Sequence, residues 1–343
     1  MGKINLLDCT LRDGGYLNDW KFGKEAISDI ISKLEKTNVE MLELGFLRNE
    51  PYQEDRAVFQ SMEQVKKLIG TKKEGIRYSI MGELLHPVPL EQIEKADKNG
   101  VDIIRMILWK TKRLPSGEVV DALGEAYDYC KGLSEKGYQL CIQPVRVSQY
   151  SDEEFIALCD RFSALHPLAI YVVDSWGMNN SEELLHYIHL ADQHLPAEIA
   201  IGYHGHNNMM HALSVAQDVL REKFDREIII DASIYGIGRG AGNLNLELIA
   251  KYMNEMYGKS YNIFPMLDIN EKYLQDIFKK EQWGYSIPFF LTAYHKCNPQ
   301  YARYLWDELR LDTDTINFVL QELSEQDKVI FTRQAADRCL EKY

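Results

Sequence analysis

Eight short apolar runs, spaced roughly 25 to 40 residues apart, constrain this chain more than any other feature. They are Ile4–Cys9, Met41–Phe46, Arg77–Met81, Ile103–Leu108, Gln139–Val145, Ala169–Asp174, Ile199–Tyr203 and Ile228–Ile234. Most are continuous rather than alternating. A strand apolar throughout is one buried on both faces, as parallel strands are. Helical periodicity recurs between them. Lys24–Leu34 puts Ile27, Ile30, Ile31 and Leu34 on one stripe, and Glu118–Lys136, Asp152–Leu165, Ser181–His194 and Met209–Lys223 behave alike. Ser151, with Glu154 three residues on, reads as a capping box at one helix start. One strand and one helix per spacing, repeated eight times, predicts an α/β fold, a (β/α)8 TIM barrel. An open doubly wound sheet is the competing layout.

The barrel is expected over residues 1–258 as the catalytic domain. Beyond Gly258 the pattern changes: residues 259–343 carry helical runs such as Glu271–Lys280 and Thr313–Leu323 and no obvious strand. That segment reads as a C-terminal helical extension, docked on the barrel or mediating oligomerisation. With 39 basic against 52 acidic residues the net charge is −13, which argues against a general binder of nucleic acid or anionic membranes. Six scattered cysteines without a CxxC pair make neither a disulfide framework nor a zinc ribbon. The N-terminus enters a strand by Ile4 with no signal or transit segment, and no apolar run is long enough to span a membrane. A cytoplasmic location is expected.

Three segments at the ends of strand-like runs carry residues suited to chemistry. The first is Asp8-Cys-Thr-Leu-Arg-Asp-Gly14, where Arg12 and Asp13 precede two glycines that permit a tight turn. They read either as an ion pair at the barrel rim, or as a cation ligand (Asp13) beside a guanidinium facing substrate oxygens (Arg12). The second is His204-Gly-His206, whose imidazoles, two apart at a strand end, can face one point. In a closed barrel the first strand lies beside the eighth, and the seventh on the eighth's other side, so Asp13, His204 and His206 can converge. One carboxylate and two imidazoles accept Mn²⁺, Mg²⁺, Co²⁺ or Zn²⁺. The third is Gly236-Ile-Gly-Arg-Gly-Ala-Gly-Asn243, whose alternate glycines would leave amides exposed to an anion or ligand. Asn243 would either cap a helix beginning at Leu244 or lend its amide oxygen to the metal.

Together these segments resemble the DRE-type TIM-barrel metallolyases, the family that includes 3-hydroxy-3-methylglutaryl-CoA lyase, 4-hydroxy-2-oxovalerate aldolase and 2-isopropylmalate synthase. The resemblance covers roughly residues 4–257, in motif type and in order. It implies a divalent metal, Mn²⁺ or Mg²⁺ foremost, held by Asp13, His204 and His206, with Asn243 a ligand in some members. It implies that Arg12 stabilises an enolate oxygen, and that Glu43, at the end of the second strand, is the family's acidic residue. The Gly-rich run lacks the Glu-Arg pair of the Claisen-type synthases and is closest in pattern to the aldolases. Trp283-Gly-Tyr-Ser286 is similar to an aldolase segment, which would bring Tyr285 to the pocket; its alternative is a core aromatic.

One position departs from that pattern. Tyr16 stands where those aldolases carry a histidine that moves a proton, and a tyrosine is a poor base unless its pKa falls well below ~10. Asp174, in Val173-Asp-Ser-Trp-Gly177, reads chiefly as a turn-shaping residue, and Lys110 is the one lysine placed for a Schiff base. The expected function is a metal-dependent aldolase, a carbon–carbon lyase acting on a small 4-hydroxy-2-oxo acid through a pyruvate-type enolate. The alternatives are an acyl-CoA-dependent Claisen synthase and a non-catalytic barrel that binds a ligand or partner. The resemblance further implies a homodimer, and in some aldolases of the family an aldehyde dehydrogenase partner.

Overall fold

In the computed structural model, which describes residues 2–114, 116 and 118–343, the eight apolar runs form one closed parallel sheet. The barrel strands are β1 (Ile4–Asp8), β2 (Met41–Leu47), β3 (Arg77–Gly82), β4 (Ile103–Leu108), β5 (Gln139–Pro144), β6 (Ala169–Asp174), β7 (Ala200–Gly205) and β8 (Ile228–Ala232), with the two-residue strand Val58–Phe59 paired to the end of β2. Neighbours pair in chain order, and β1 closes the ring by pairing with both β8 and β2. The fold is a (β/α)8 barrel with C-terminal helices.

Strand periodicity sorts the side chains. One set, including Leu7, Met41, Ile103, Cys141, Ala169, Tyr171, Ala200 and Ile229, fills the barrel interior. The alternate set, including Leu6, Leu42, Ile104, Ile142, Ile170, Ile201 and Ile230, joins the shell packed under the helices. Glu43, Arg105 and Asp231 share the interior parity, so three charged groups stand inside the barrel. Gly202 is there because Tyr171 fills the space beside it: a Cβ would stand 2.4 Å from the ring.

Seven helices flank the barrel: α1 (Lys24–Leu34), α2 (Met62–Ile69), α3 (Leu123–Glu135), α4 (Asp152–Ser163), α5 (Ser181–His194), α6 (Ala212–Arg221) and α7 (Leu246–Tyr257). The expected capping box at Ser151 and Glu154 is formed. Three expectations are corrected. The run expected to be helical from Glu118 begins at Leu123, because β-branched Val119 and Val120 pair in an antiparallel hairpin with Thr111–Arg113. The helix expected from Met209 starts at Ala212, after a positive φ at Met210. Between β3 and β4 the connection carries Pro87 and Pro89 and holds only a 3₁₀ turn, Leu90–Gln92.

Past α7 the chain runs through Phe264–Ile269, a π-helical Asn270–Leu274 and Gln275–Phe278. Met266, Ile269, Leu274 and Trp283 belong to the apolar shell of the barrel. A second apolar cluster begins at Leu291 and gathers Tyr301, Leu305, Ile316, Leu320 and Ala336. Among the described residues no helix is long and apolar enough to cross a membrane.

Candidate metal centre

The chain leaves β1 directly into a single helical turn, Thr10–Asp13. Asp8 sets that turn by accepting from the Thr10 amide (3.1 Å) and hydroxyl (2.6 Å). Burial lifts the Asp8 carboxyl to about 7 in spite of these bonds. Thr10 Oγ1 accepts from the Ile234 amide at 2.9 Å, which ties the turn to the end of β8. Trp20 Nε1 donates to the Arg12 carbonyl at 2.7 Å. Gly14 and Gly15 do not serve a tight turn, as the sequence suggested, since Gly14 has an ordinary helical φ of −61°. They are small because space is short: a Cβ would stand 2.9 Å from Ile237 at Gly14 and 2.0 Å from the Trp20 ring at Gly15.

This turn delivers Asp13 to the two histidines. His204 lies within β7, and His206 follows it in an isolated bridge with Asn243. Both Nε2 atoms stand 3.8 Å from Asp13 Oδ2, and ligand atoms of the three residues lie within 4.8 Å of one another. Each ring is oriented through its other nitrogen. His204 Nδ1 lies 3.0 Å from Asp231 Oδ2 and His206 Nδ1 lies 3.1 Å from the Arg239 carbonyl. A carboxylate and a carbonyl accept only, so each Nδ1 carries the proton and each Nε2 lone pair faces the cluster.

The electrostatics suit a cation. Burial opposes ionisation of Asp13, but Arg12 and the two imidazoles outweigh it and hold the carboxyl at about 2. Burial draws His206 down to about 4, which keeps the ring neutral and able to ligate. Asp13 Oδ2 is buried with no hydrogen-bond partner, and so is Asn243 Oδ1. Asn243 Nδ2 is committed to the Ile237 carbonyl (3.1 Å) and Ser233 Oγ (3.4 Å), which leaves its oxygen unsatisfied. Two orphaned anionic or carbonyl oxygens beside two aligned imidazoles are the donor set a divalent cation completes. The residues therefore fit the metal that the family resemblance implies.

Several amides of the Gly-rich run are taken up by the protein itself. The amides of Gly236, Gly242 and Asn243 bond within the segment, to Ser233, Arg239 and Gly236, and Ala241 donates to Asn208. The helix that follows starts at Leu246, so Asn243 does not cap it. Gly238 instead makes room for the cluster: a Cβ there would stand 2.3 Å from Asn243 Nδ2 and 3.0 Å from Asp13 Oδ2. Gly238→Ala is expected to weaken metal binding at least about tenfold while leaving the fold intact, read by Mn²⁺ titration and circular dichroism.

Behind the cluster lies a closed circuit of buried charges. Arg12 Nε donates to Glu43 Oε2 at 2.7 Å, and its Nη1 to Asp13 Oδ1 at 2.9 Å. Arg105 Nη1 meets the same Glu43 oxygen at 2.8 Å, and its Nη2 binds Asp231, the partner of His204. Asp13, Arg12, Glu43, Arg105, Asp231 and His204 thus follow one another back to the cluster. Three carboxylates face two guanidiniums, so the circuit carries one surplus negative charge toward which a divalent cation is drawn. Sequence reading named Arg12 and Glu43 but missed Arg105 and Asp231. The available signal was a charged residue at interior parity inside each of two apolar runs.

The cluster opens into a cavity of about 300 Å³ whose walls include Arg12, Asp13, Tyr16, Arg48, Glu83, His86, Trp109, Gln143, His204, His206 and Arg239. Tyr16 is in this wall, its ring against Trp20 (4.9 Å between centroids) and 5.9 Å from the Arg239 guanidinium. Burial raises its pKa above 10, so its hydroxyl stays protonated. Tyr285 is not in this wall: half-exposed at 52%, it lines a separate depression with Trp283, Phe289 and Trp306, because Trp283 anchors the segment by donating to the Tyr235 carbonyl. Lys110 is bound to Glu154 (2.7 Å) and the Gln149 carbonyl (3.1 Å), away from the cavity wall. Asp174 accepts from the amides of Met178 and Asn179 and shapes the turn after β6.

Glu83 and His86, just past β3, also escaped the sequence reading. Glu83 pairs with Arg48 at 2.6 Å, yet burial raises its carboxyl above the usual range.

Comparison with known proteins fits this geometry. The family model described as HMGL-like matches residues 3–271. The chain belongs to the HMGL-like family. It is 24% identical over 255 residues to an oxaloacetate decarboxylase of Mycobacterium tuberculosis, covering 71% of this chain and 68% of that protein. It is 22% identical over 275 residues to a 4-hydroxy-2-oxovalerate aldolase of Bacillus cereus, covering 78% of this chain and 75% of that one. The N-terminal domain of a putative aldolase from Bacteroides vulgatus shares the fold, with a TM-score of 0.71 at 22% identity over 89% of this chain and 98% of that one.

Proposed function

We propose that this protein is a divalent-metal-dependent carbon–carbon lyase that cleaves or forms a small 4-hydroxy-2-oxo acid through the enolate of pyruvate. The observation that carries the reading is the unsatisfied Asp13 oxygen 3.8 Å from two aligned imidazole nitrogens, with the Arg12 guanidinium fixed beside it. The relatives named above support it. Breaking the bond next to the α-carbon in 4-hydroxy-2-oxovalerate or in oxaloacetate leaves the same enolate.

Asp13, His204 and His206 would hold the cation, with Asn243 Oδ1 as a fourth donor, and the family resemblance puts Mn²⁺ and Mg²⁺ foremost among the divalent ions that such mixed oxygen and nitrogen donors accept. When bound, such a cation polarises the 2-oxo group and stabilises negative charge on its oxygen. Arg12 adds to that stabilisation. Its Nε and Nη1 are committed to Glu43 and Asp13, so the fork is held rigid and the remaining Nη2 is the edge available to an enolate oxygen. Glu43 thereby acts as a positioning residue for Arg12 and does not touch substrate.

Cleavage also needs the 4-hydroxyl proton removed and, later, a proton returned to the enolate carbon. Tyr16 keeps its proton and suits donation. Glu83, raised by burial and facing the same cavity, is placed to accept. Glu83→Gln should lower kcat by about 10²-fold to 10³-fold with KM within about threefold of wild type. A larger effect on KM than on kcat would assign Glu83 to binding through Arg48.

The reaction is tested by pyruvate release from a panel of 4-hydroxy-2-oxo acids, coupled to lactate dehydrogenase, with and without Mn²⁺. Release that depends on the metal is the expected result. Full activity in metal-stripped protein, or silence across the panel with metal bound, contradicts the proposal.

A further inference from the structure

Three guanidiniums reach the cavity wall, and two of them already face carboxylates. Arg12 is bound to Asp13 and Glu43, and Arg48 is paired with Glu83 at 2.6 Å. Arg239 differs. Among the described residues no carboxylate lies within ion-pair distance of it, and its one side-chain hydrogen bond runs from Nη2 to Asn298 Oδ1 at 3.1 Å. A partly buried cation without a counter-charge is costly unless an anion arrives to meet it.

Its position is set from both sides. The Arg239 carbonyl holds the His206 ring, so the residue is anchored next to the metal cluster. Its guanidinium lies 5.9 Å from the Tyr16 ring centroid, and Asn298 holds it from the C-terminal extension. Asn298 is itself fixed, donating through its amide to the Lys328 carbonyl (2.8 Å) and through Nδ2 to the Val329 carbonyl (3.2 Å). Arg239, Tyr16 and Gln300 line the cavity and also a neighbouring depression with Arg303 and Arg333. Those two arginines are already paired, with Glu281 and Glu308. Arg239 is thus the free positive charge at the end of the cavity that faces the extension.

We propose that Arg239 receives a second carboxylate of the substrate, so that the molecule bound here is a small 2-oxo dicarboxylic acid with one end at the Asp13, His204 and His206 cluster and the other on this guanidinium. A planar fork with donors to spare matches the two oxygens of a carboxylate. A phosphate would call for further cations, and the neighbouring Arg303 and Arg333 are already paired with carboxylates. The inference rests on the reading of the cluster as the place where the 2-oxo group is held. It also gives the extension a role in the site, because Asn298 aims the arginine.

The test is calorimetric binding to the Mn²⁺-loaded full-length protein. Oxaloacetate, 2-oxoglutarate and 2-oxoadipate are each compared with the analogue in which two methyl groups replace the terminal carboxylate oxygens. For at least one chain length the dicarboxylate should bind about tenfold or more tighter than its dimethyl analogue. Arg239→Met should erase that ratio while leaving the dimethyl analogue and pyruvate unaffected, since the carbonyl that holds His206 remains. Arg239→Lys should restore part of it. Ratios near one at all three lengths, or a ratio that survives Arg239→Met, overturn the proposal. Failure of pyruvate itself to bind the metal-loaded wild type would instead overturn the reading of the cluster, and the inference with it.

Discussion

Arg105→Met is expected to destabilise the protein by about 3 to 5 kcal/mol, the range for removing one partner of a buried ion pair. Arg105 is fully buried, bridges Glu43 and Asp231, and lies with its guanidinium 4.9 Å from the Tyr171 ring. Burial alone would raise the Asp231 carboxyl; Arg105, with His204, holds it below the usual range. Without the arginine two carboxylates face one another inside the barrel, and at least one must take a proton or draw in water. Methionine nearly matches the volume, so little of the loss is cavity formation. Chemical denaturation measures the effect. A loss under about 1 kcal/mol would mean that the circuit contributes little to stability. A second consequence follows through Asp231. Its hold on His204 Nδ1 weakens, so metal affinity should fall with stability in this variant, by about 10- to 100-fold.

The other large effect is at the cluster. Asp13→Asn should lower Mn²⁺ affinity by at least about 100-fold and remove turnover, because it removes the anionic oxygen to which both imidazoles point. The metal-free variant should fold like the wild type, since Asp13 Oδ2 makes no hydrogen bond and Arg12 keeps Glu43. Wild-type protein should gain thermal stability when Mn²⁺ is added after stripping, and the variant should not. Equal stabilisation of both by Mn²⁺ would place the metal elsewhere. Activity of Asp13→Asn close to wild type would remove the basis of the proposed chemistry.

The barrel was legible because burial on both faces writes a strand as a continuous apolar run, and all eight runs are strands of the sheet. His204 and His206 were legible because a strand returns to the same face every second residue. The convergence of Asp13 followed once closure made β1 and β8 neighbours. Arg105 and Asp231 were missed because apolar residues surround them in sequence and mask a charge that only the ring arrangement pairs. Glu83 and His86 lie in a loop whose direction no periodicity sets. The glycines misled in a different way. Gly14, Gly15 and Gly238 are small because a side chain, a ring or the metal donors come close, contacts that only the folded chain makes. Tyr285 shows the limit of reading by resemblance: a matched segment placed it at the site, while packing of Trp283 against Tyr235 sets it in a separate depression. The hairpin before α3 escaped because its β-branched pair also fits a helical pattern.

The central claim is a single divalent-cation site made by one carboxylate and two imidazoles at the mouth of this barrel. Pulsed electron paramagnetic resonance of stripped protein reloaded with Mn²⁺ reads it most directly. One tightly bound ion per chain, with coupling to two imidazole nitrogens that falls to one in His204→Gln and in His206→Gln, is the result expected. Tight Mn²⁺ without nitrogen coupling, or no tight site at all, would contradict it.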